Sequence, residues 1–293
     1  MMQKENFQLL FCVKCKGMLD LEILNEASEI TEGFLYCEKC HLKFPIISKI
    51  PIILENLPQF LESRSSLGGF LLKSSLTKNM KQFIKQIMSQ IKKSNTDFFE
   101  TEKRWTKIYL SNKNSPFYKS IKSHLSKISQ KKFVIEYGSS IGIISNTLGL
   151  KHSHVFGIDT SFSALLEAKK NSRKNCEYVL SDVLQHPFGE KKFDLIIALN
   201  LFELVEPLSL LNTISSQIRN GSFFLSDPYD YDRGKNSVKH PLNEKQIRKT
   251  IHQKNFVITK TTQVPSSIIW NLKINDRTNL VYKVDIIHAR KSS

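Results

Sequence analysis

Val134-Ile-Glu-Tyr-Gly-Ser-Ser-Ile-Gly142, followed by His154-Val-Phe-Gly-Ile-Asp159, decides how this chain is read. An apolar strand runs into a glycine turn, and a second strand then ends in a carboxylate. Such a turn lets the backbone approach a ligand closely, which excludes side chains at Gly138 and Gly142. Asp159, 17 residues past Gly142, stands where an acid can accept both hydroxyls of a ribose. A nucleotide-like cofactor is the implied ligand. The Gly-x-x-x-Gly spacing also opens ordinary helices, so the rest of the chain has to arbitrate.

Working outward, Cys176-Glu-Tyr-Val-Leu-Ser-Asp182 reads as a third strand ending in an acid, and Phe193-Asp-Leu-Ile-Ile-Ala-Leu-Asn200 as a central fourth. Leu208, Leu211, Ile214 and Ile218 recur at helical spacing over 207–219, and Gly221-Ser-Phe-Phe-Leu-Ser-Asp227 follows as a fifth strand. Strands near 256–262 and 280–289 would close the sheet. Strands that alternate with helices imply a parallel sheet between helical layers.

A dinucleotide fingerprint would read Gly-x-Gly-x-x-Gly. Glu136-x-Gly138-x-Ser140-x-Gly142 instead resembles motif I of the class I S-adenosylmethionine-dependent methyltransferases, with Ser140 at the usual middle glycine. The resemblance covers roughly residues 105–291. It implies an α/β fold, a Rossmann-like seven-stranded methyltransferase sheet with helices on both faces and an antiparallel last strand. It also implies S-adenosylmethionine as cofactor, held by Glu136, Tyr137, Gly138, Ser140 and Gly142, by Asp159 with Thr160 beside it, and by Asn200 and Leu201. By the same resemblance Asp182 faces the adenine amino group, with Val183 beside the ring.

At the other end, Cys12-Val-Lys-Cys15 and Cys37-Glu-Lys-Cys40 form two Cys-x-x-Cys pairs separated by 21 residues. Each tight turn aims two thiolates at one point, and four sulfurs close a tetrahedral shell around Zn²⁺, so the reading is a structural zinc ribbon. A pair of disulfides is the competing reading, disfavoured where thiols are kept reduced. His41 is a rival ligand that four cysteines make unnecessary, and Cys176, at the start of a strand, reads as a small core residue. Leu10-Phe-Cys-Val-Lys-Cys-Lys-Gly-Met-Leu and the run from Leu35 through Phe44-Pro-Ile-Ile-Ser-Lys-Ile-Pro-Ile-Ile-Leu54 resemble the small zinc-ribbon activators that partner tRNA and release-factor methyltransferases. There the ribbon is a separate subunit; here it would be fused, its effective concentration set by the linker. A protein partner bound through the ribbon is the further implication.

Length suits this division: a ribbon over residues 1–58, a basic helical linker over 59–100 and a methyltransferase domain over 101–293. No apolar run approaches the roughly 18 residues that cross a membrane, and no secretory leader is evident, so a soluble, cytoplasmic protein is expected. In the linker, Met80, Phe83, Ile84, Ile87, Met88 and Ile91 make one helical face. Six lysines and no acids lie between Lys73 and Lys93. The formal charge of +16 invites an RNA reading, since clustered lysines release phosphate counterions. The 35 lysines against 8 arginines and 5 alanines equally suit an AT-rich genome, which leaves a solvated face as the alternative.

No catalytic residue is assigned. The Asn/Asp-Pro-Pro-Tyr/Phe signature of exocyclic-amine methylation in nucleic acids is missing after the fourth strand, where Asn200-Leu-Phe-Glu-Leu-Val stands. A cysteine pair for pyrimidine carbon-5 methylation is missing too. Trp105 and Tyr109, four apart on one helical side, read either as a lid over the cofactor or as packing against the sheet. Ser226-Asp-Pro-Tyr-Asp-Tyr-Asp-Arg-Gly234 is dense in acids and tyrosines. It reads as a solvated turn or as a pocket for a small amine, held by Asp230 or Asp232 and boxed by Tyr229 and Tyr231, with Asp227 and Arg233 also candidate contacts. This loop, with Val264-Pro265 and 270–277, is faintly similar to methyltransferases of histidine-derived metabolites. A small amine or amino-acid-derived substrate is therefore preferred. RNA or a translation factor comes second, and ribosomal-RNA guanine methyltransferases also place a zinc ribbon first. A non-catalytic zinc-ribbon adaptor with a degenerate cofactor fold comes third.

Overall fold

Alternating apolar residues after the first cysteine pair produce an antiparallel sheet of β1 (Asp20–Glu26), β2 (Ile30–Cys37), β3 (Leu42–Ile47) and β4 (Ile50–Pro51), in that order. The computed structural model describes residues 7–92, 94–190, 192–232 and 237–291. The chain forms two compact units. One comprises Met1–Lys107, Ser140–Gly142 and Ile158–Lys191; the other comprises Ile108–Ser139, Ile143–Gly157 and Lys192–Ser293.

In the first unit, α1 (Leu57–Glu62), α2 (Ser65–Ser74) and α3 (Lys78–Met88) lead to α4 (Phe98–Ser111). Helix α3 buries Met80 and Ile84, and Phe83 meets Phe34 of β2 edge-on with ring centroids 5.0 Å apart. The buried carboxylate of Glu32 accepts the backbone N–H groups of Leu76 and Thr77, each at 2.8 Å. These bonds satisfy donors at the start of α3 that would otherwise lack partners. Helix α3, within the segment expected as a basic helical linker, thus packs on the N-terminal sheet.

Beyond β4 the chain runs alongside β7 (Cys176–Leu180): Ile52 forms a parallel bridge with Leu180, and Ile53 N–H donates to Leu180 C=O at 2.8 Å. A strand edge that would otherwise present open backbone groups is paired in this way. Lys169, at the end of α7 (Phe162–Lys170), reaches Glu29 at 3.0 Å and Glu177 at 3.5 Å, with only 5% of its side chain exposed. Glu29 also pairs with Lys49 at 2.7 Å.

The second unit holds parallel β5 (Phe133–Tyr137), β8 (Phe193–Leu199) and β9 (Ile218–Asp227). Phe-Asp-Leu-Ile-Ile-Ala-Leu in β8 is nearly all buried, as a strand covered on both faces requires. At Gly221 a Cβ would lie 2.5 Å from Asp194 C=O, so only glycine fits where β9 passes β8. The long β12 (Thr278–Lys291) runs antiparallel to β9, placing Asp285 opposite Asp227, and β10 (Phe256–Ile258) pairs with its end. Helices α5 (Pro116–Ser126), α6 (Ile143–Leu148), α8 (Pro207–Gln217) and α9 (Glu244–Gln253) complete the unit. Through β6 (His154–Asp159) the strand order reads β10-β12-β9-β8-β5-β6-β7, an α/β fold with a mixed sheet.

Four details depart from the sequence reading. An eighth strand, β11 (Ile268–Asn275), pairs with β12, so the sheet exceeds the expected seven. The strand expected over 256–262 stops at Ile258. There Thr259 N–H takes His288 C=O, and Thr262 folds back into a 3₁₀ turn that accepts His288 N–H on its hydroxyl. The helix expected to reach residue 219 ends at Gln217, because Ile218 already pairs with Phe193. Ser115-Pro116 predicts an N-cap and a first-turn proline for α5; the Ser115 hydroxyl makes no capping hydrogen bond, leaving Pro116 as the helix-starting signal.

Candidate cofactor site and cysteine cluster

Each Cys-x-x-Cys turn closes through a residue in the left-handed region, Lys16 (φ 58°) and His41 (φ 54°). Cys12 N–H donates to Gly17 C=O, and Lys16 N–H to Cys12 C=O, both at 2.9 Å. Gly17 N–H points at Cys15 Sγ from 3.4 Å, which favours the thiolate there. The sulfurs of Cys12, Cys15, Cys37 and Cys40 all lie within 4.8 Å of one another, and all five cysteines are free thiols. That spacing is compatible with one metal at about 2.3 Å from each sulfur. His41 Nδ1 is engaged by the hydroxyl of Tyr36 at 2.9 Å.

The glycine turn has one half in the first unit. Ser140, where a glycine would be usual, holds φ at +47°, and its N–H donates to Asp159 Oδ2 at 2.8 Å. Ser161 N–H donates to Oδ1 at 2.8 Å, so both carboxylate oxygens are fixed by the backbone at the end of β6. Burial pushes the Asp159 carboxyl up, opposed by the N–H groups of Ser161, Ser140 and Thr160 and by the charge of Arg64. Ser181 N–H takes Asp159 C=O at 3.1 Å, which places Asp182 one residue beyond. Asp182 Oδ1 accepts Leu184 N–H at 2.8 Å, capping a short turn that buries Val183. Gly142 (φ +73°) is hemmed in: a Cβ there would lie 2.4 Å from Tyr178 Oη and 2.9 Å from Ala168 Cβ. Gly142→Ala is therefore expected to destabilise by about 2–4 kcal/mol through left-handed strain plus overpacking. A urea midpoint equal to wild type would contradict this.

In the second unit, buried Glu136 accepts Ser145 N–H at 2.7 Å and also its hydroxyl, which ties β5 to the start of α6. Tyr137 is buried, its hydroxyl bonded to Gln217. The space beside Gly138 (φ +66°) is taken by Leu201, whose Cδ2 would be 2.6 Å from an added Cβ. Asn200 (φ +56°) donates its N–H to Ser226 C=O at 2.6 Å and accepts the Ser226 hydroxyl at 3.0 Å. Left-handed residues thus follow β5, β8 and, at Tyr229 (φ +57°), β9. Strained backbone gathered at the carboxyl ends of parallel strands marks where open α/β sheets bind ligands.

The residues read as a substrate pocket separate. Asp227, 2% exposed, accepts the N–H groups of Phe202 and Tyr229, each at 2.8 Å. The Tyr229 hydroxyl donates to Asp285 at 2.8 Å. Asp285 also holds Arg248 through two bonds, at 2.6 and 3.0 Å, and Ser266 N–H at 2.7 Å. Tyr231 bonds to the backbone of Leu242. Asp230 and Asp232 have no hydrogen-bond or ionic partner among the described residues, and Arg233 lies outside them. Trp105 is half-buried on α4. Tyr109 lies parallel to buried Trp270 at 6.4 Å, with Phe117 and Tyr282 on the same indole.

Sequence reasoning missed Arg64 and Glu102. Arg64 Nε donates to Glu102 Oε1 at 2.7 Å, while its guanidinium lies 4.1 Å from the Phe60 ring. Glu102 Oε2 is buried and has no hydrogen-bond partner among the described residues. Thr106, one turn further along α4, bonds to Ser163, and Ser163 to Ser161, at 3.0 and 3.2 Å. Helix α4 is thereby fastened to the turn that holds Asp159. The two residues are 38 apart in sequence, Arg64 in the stretch read as linker and Glu102 in the domain read as methyltransferase, and no spacing signalled the pair.

Residues 135–226 match the family described as Methyltransferase domain. The chain carries a methyltransferase domain. It is an S-adenosylmethionine-dependent methyltransferase. Its fold is similar to that of magnesium protoporphyrin IX methyltransferase from Synechocystis PCC 6803, solved with bound SAH. The two are 17% identical with a TM-score of 0.50, over 67% of this chain and 96% of that one. It is similar also to a chain from the complex of the Haloferax volcanii Trm112 methyltransferase activator with a methyltransferase. There the identity is 13% and the TM-score 0.51, again over 67% of this chain and 96% of that one. At these identities the likeness establishes the fold. No curated protein matches the sequence. Among the described residues no helix of this methyltransferase is long and apolar enough to cross a membrane.

Proposed function

We propose that this methyltransferase acts on a small amine or amino-acid-derived acceptor, with zinc in the four-cysteine cluster holding an N-terminal ribbon that serves as a built-in activator. The acceptor class rests on the loop after β9, where Asp230 and Asp232 have no partner among the described residues, in a chain of formal charge +16. Unpaired carboxylates attract an ammonium group and repel phosphate. Bound S-adenosylmethionine would supply an electrophilic methyl group. The protein's part is to orient the acceptor's lone pair and exclude water. On this reading Ser140, Gly142, Asp159, Thr160, Asp182 and Val183 hold the nucleoside. The carboxylate of Asp159, pre-oriented by two N–H groups, suits a ribose diol.

The activator role is supported by the parallel run of Ile52 and Ile53 along β7, the way an added strand covers a sheet edge. One structural neighbour comes from a complex with a separate activator, and a ribbon in the same chain removes that second-order encounter. Free thiols suit a reducing, cytoplasmic setting.

Methyl uptake from labelled S-adenosylmethionine, offered small amines and total RNA in parallel, is the test. Label in the amines, with Asp230→Asn lowering kcat/KM about three- to tenfold, is the expected result. Label in RNA alone would overturn it. That second reading has its own observation: Lys78, Lys81 and Lys85 share an exposed face of α3 and have no acidic partner among the described residues.

A further inference from the structure

The segment ahead of the glycine turn brings a second carboxyl to the end of β6. Glu102 is 15% exposed, one oxygen bound by Arg64 and the other buried without a hydrogen-bond partner among the described residues. Hydrogen bonds from Thr106 to Ser163 and from Ser163 to Ser161 hold its helix on the Asp159 turn, and Ser161 N–H bonds Asp159 itself. A buried, unsatisfied carboxylate oxygen is costly, and a hydroxyl donor placed there removes that cost. A ribose has two hydroxyls, and Asp159 can serve one while a neighbouring acid serves the other.

We infer that Glu102 is a second cofactor-binding acid, presenting Oε2 to the ribose diol beside Asp159 while Arg64 fixes its orientation. This rests on reading the Asp159 turn as the ribose site. Arg64 is itself braced by the Phe60 ring and by the Ser63 hydroxyl, to which Nη1 donates at 3.2 Å. The charged groups facing Glu102 are Arg64 from the junction of α1 and α2, Asp159 from β6 and Asp97 ahead of α4. Asp97 is committed elsewhere, accepting Ser66 and Phe99 N–H groups.

Burial pushes the Glu102 carboxyl up to about 7; Arg64 pulls it down through its charge and its hydrogen bond, and Asp159 and Asp97 push it further up. Accepting a ribose hydroxyl favours the ionised form, so binding is linked to loss of a proton below pH 7 and independent of pH well above it. Affinity therefore rises as pH is raised through 7, then levels.

Calorimetric titration of the zinc-loaded full chain with S-adenosylhomocysteine from pH 6 to 8.5 tests this, beside Glu102→Gln, which keeps an acceptor for Arg64. Wild type is expected to bind about tenfold more tightly at pH 8 than at pH 6. Glu102→Gln should bind about tenfold more weakly than wild type at pH 8, with a flat pH profile and a melting temperature at pH 6 within a few degrees of wild type. If Glu102→Gln retains the wild-type pH slope, the proton belongs to Asp159 and the inference fails. Equal affinities at pH 8 would also overturn it. No binding by wild type at any pH would instead sink the ribose site on which it rests.

Discussion

Cys37→Ser is expected to abolish stoichiometric zinc binding and to unfold the N-terminal sheet. Cys37 ends β2 and is 1% exposed, its sulfur 3.5 Å from that of Cys15. Three sulfurs cannot close the tetrahedral shell. Apparent binding energies of structural zinc are about 10–16 kcal/mol, more than a module of this size can replace from its core. The damage should travel, because Ile52 and Ile53 pair with Leu180 and Phe34 packs on α3. Metal analysis with thermal melting checks this. The variant should carry no zinc and melt more than 10 °C lower, and strong chelation of wild type should reproduce the loss. A metal-free protein melting where wild type does would refute a structural metal.

Lys169→Met is expected to destabilise by about 3–5 kcal/mol at pH 8, the usual cost of removing one member of a buried ionic cluster. Glu177 and Glu29 would each lose a cation in surroundings that exclude water, while Lys49 stays paired with Glu29. At pH 5 the loss should shrink, since a buried carboxyl that has lost a cation lowers the penalty by protonating. Urea unfolding at both pH values decides. A loss under about 1 kcal/mol at pH 8 would mean that the cluster is open to water. Adding Glu177→Gln should recover part of the loss, which separates the charge effect from packing.

The alternation of β5, β6, β8 and β9 with helices was legible because buried parallel strands must be apolar along their whole length. The glycine turn was legible because left-handed backbone restricts residue choice. The cysteine cluster was legible from ligand spacing alone. The acidic tyrosine loop was legible only as composition. Asp227 turns inward to cap the Phe202 and Tyr229 amides, and Tyr229 turns to Asp285, partners that lie 56 residues apart along the chain. A tyrosine beside aspartates looks the same in sequence whether it faces solvent or a buried acid. Helix α3 shows the same division. Its apolar stripe was plain, yet its seat on β2, fixed by Glu32 accepting two amides, had no local signature.

By itself, the sequence determined the α/β class, the succession of strands and helices along the chain and the four sulfurs, because periodicity, turn chemistry and ligand spacing are local properties. Only the tertiary structure decided that residues 50–53 complete the edge of β7, that Lys169 links Glu29 to Glu177, and that Arg64 and Glu102 stand at the Asp159 turn. Each of those contacts joins segments far apart along the chain. Their energy depends on burial, and burial is a property of the assembled fold.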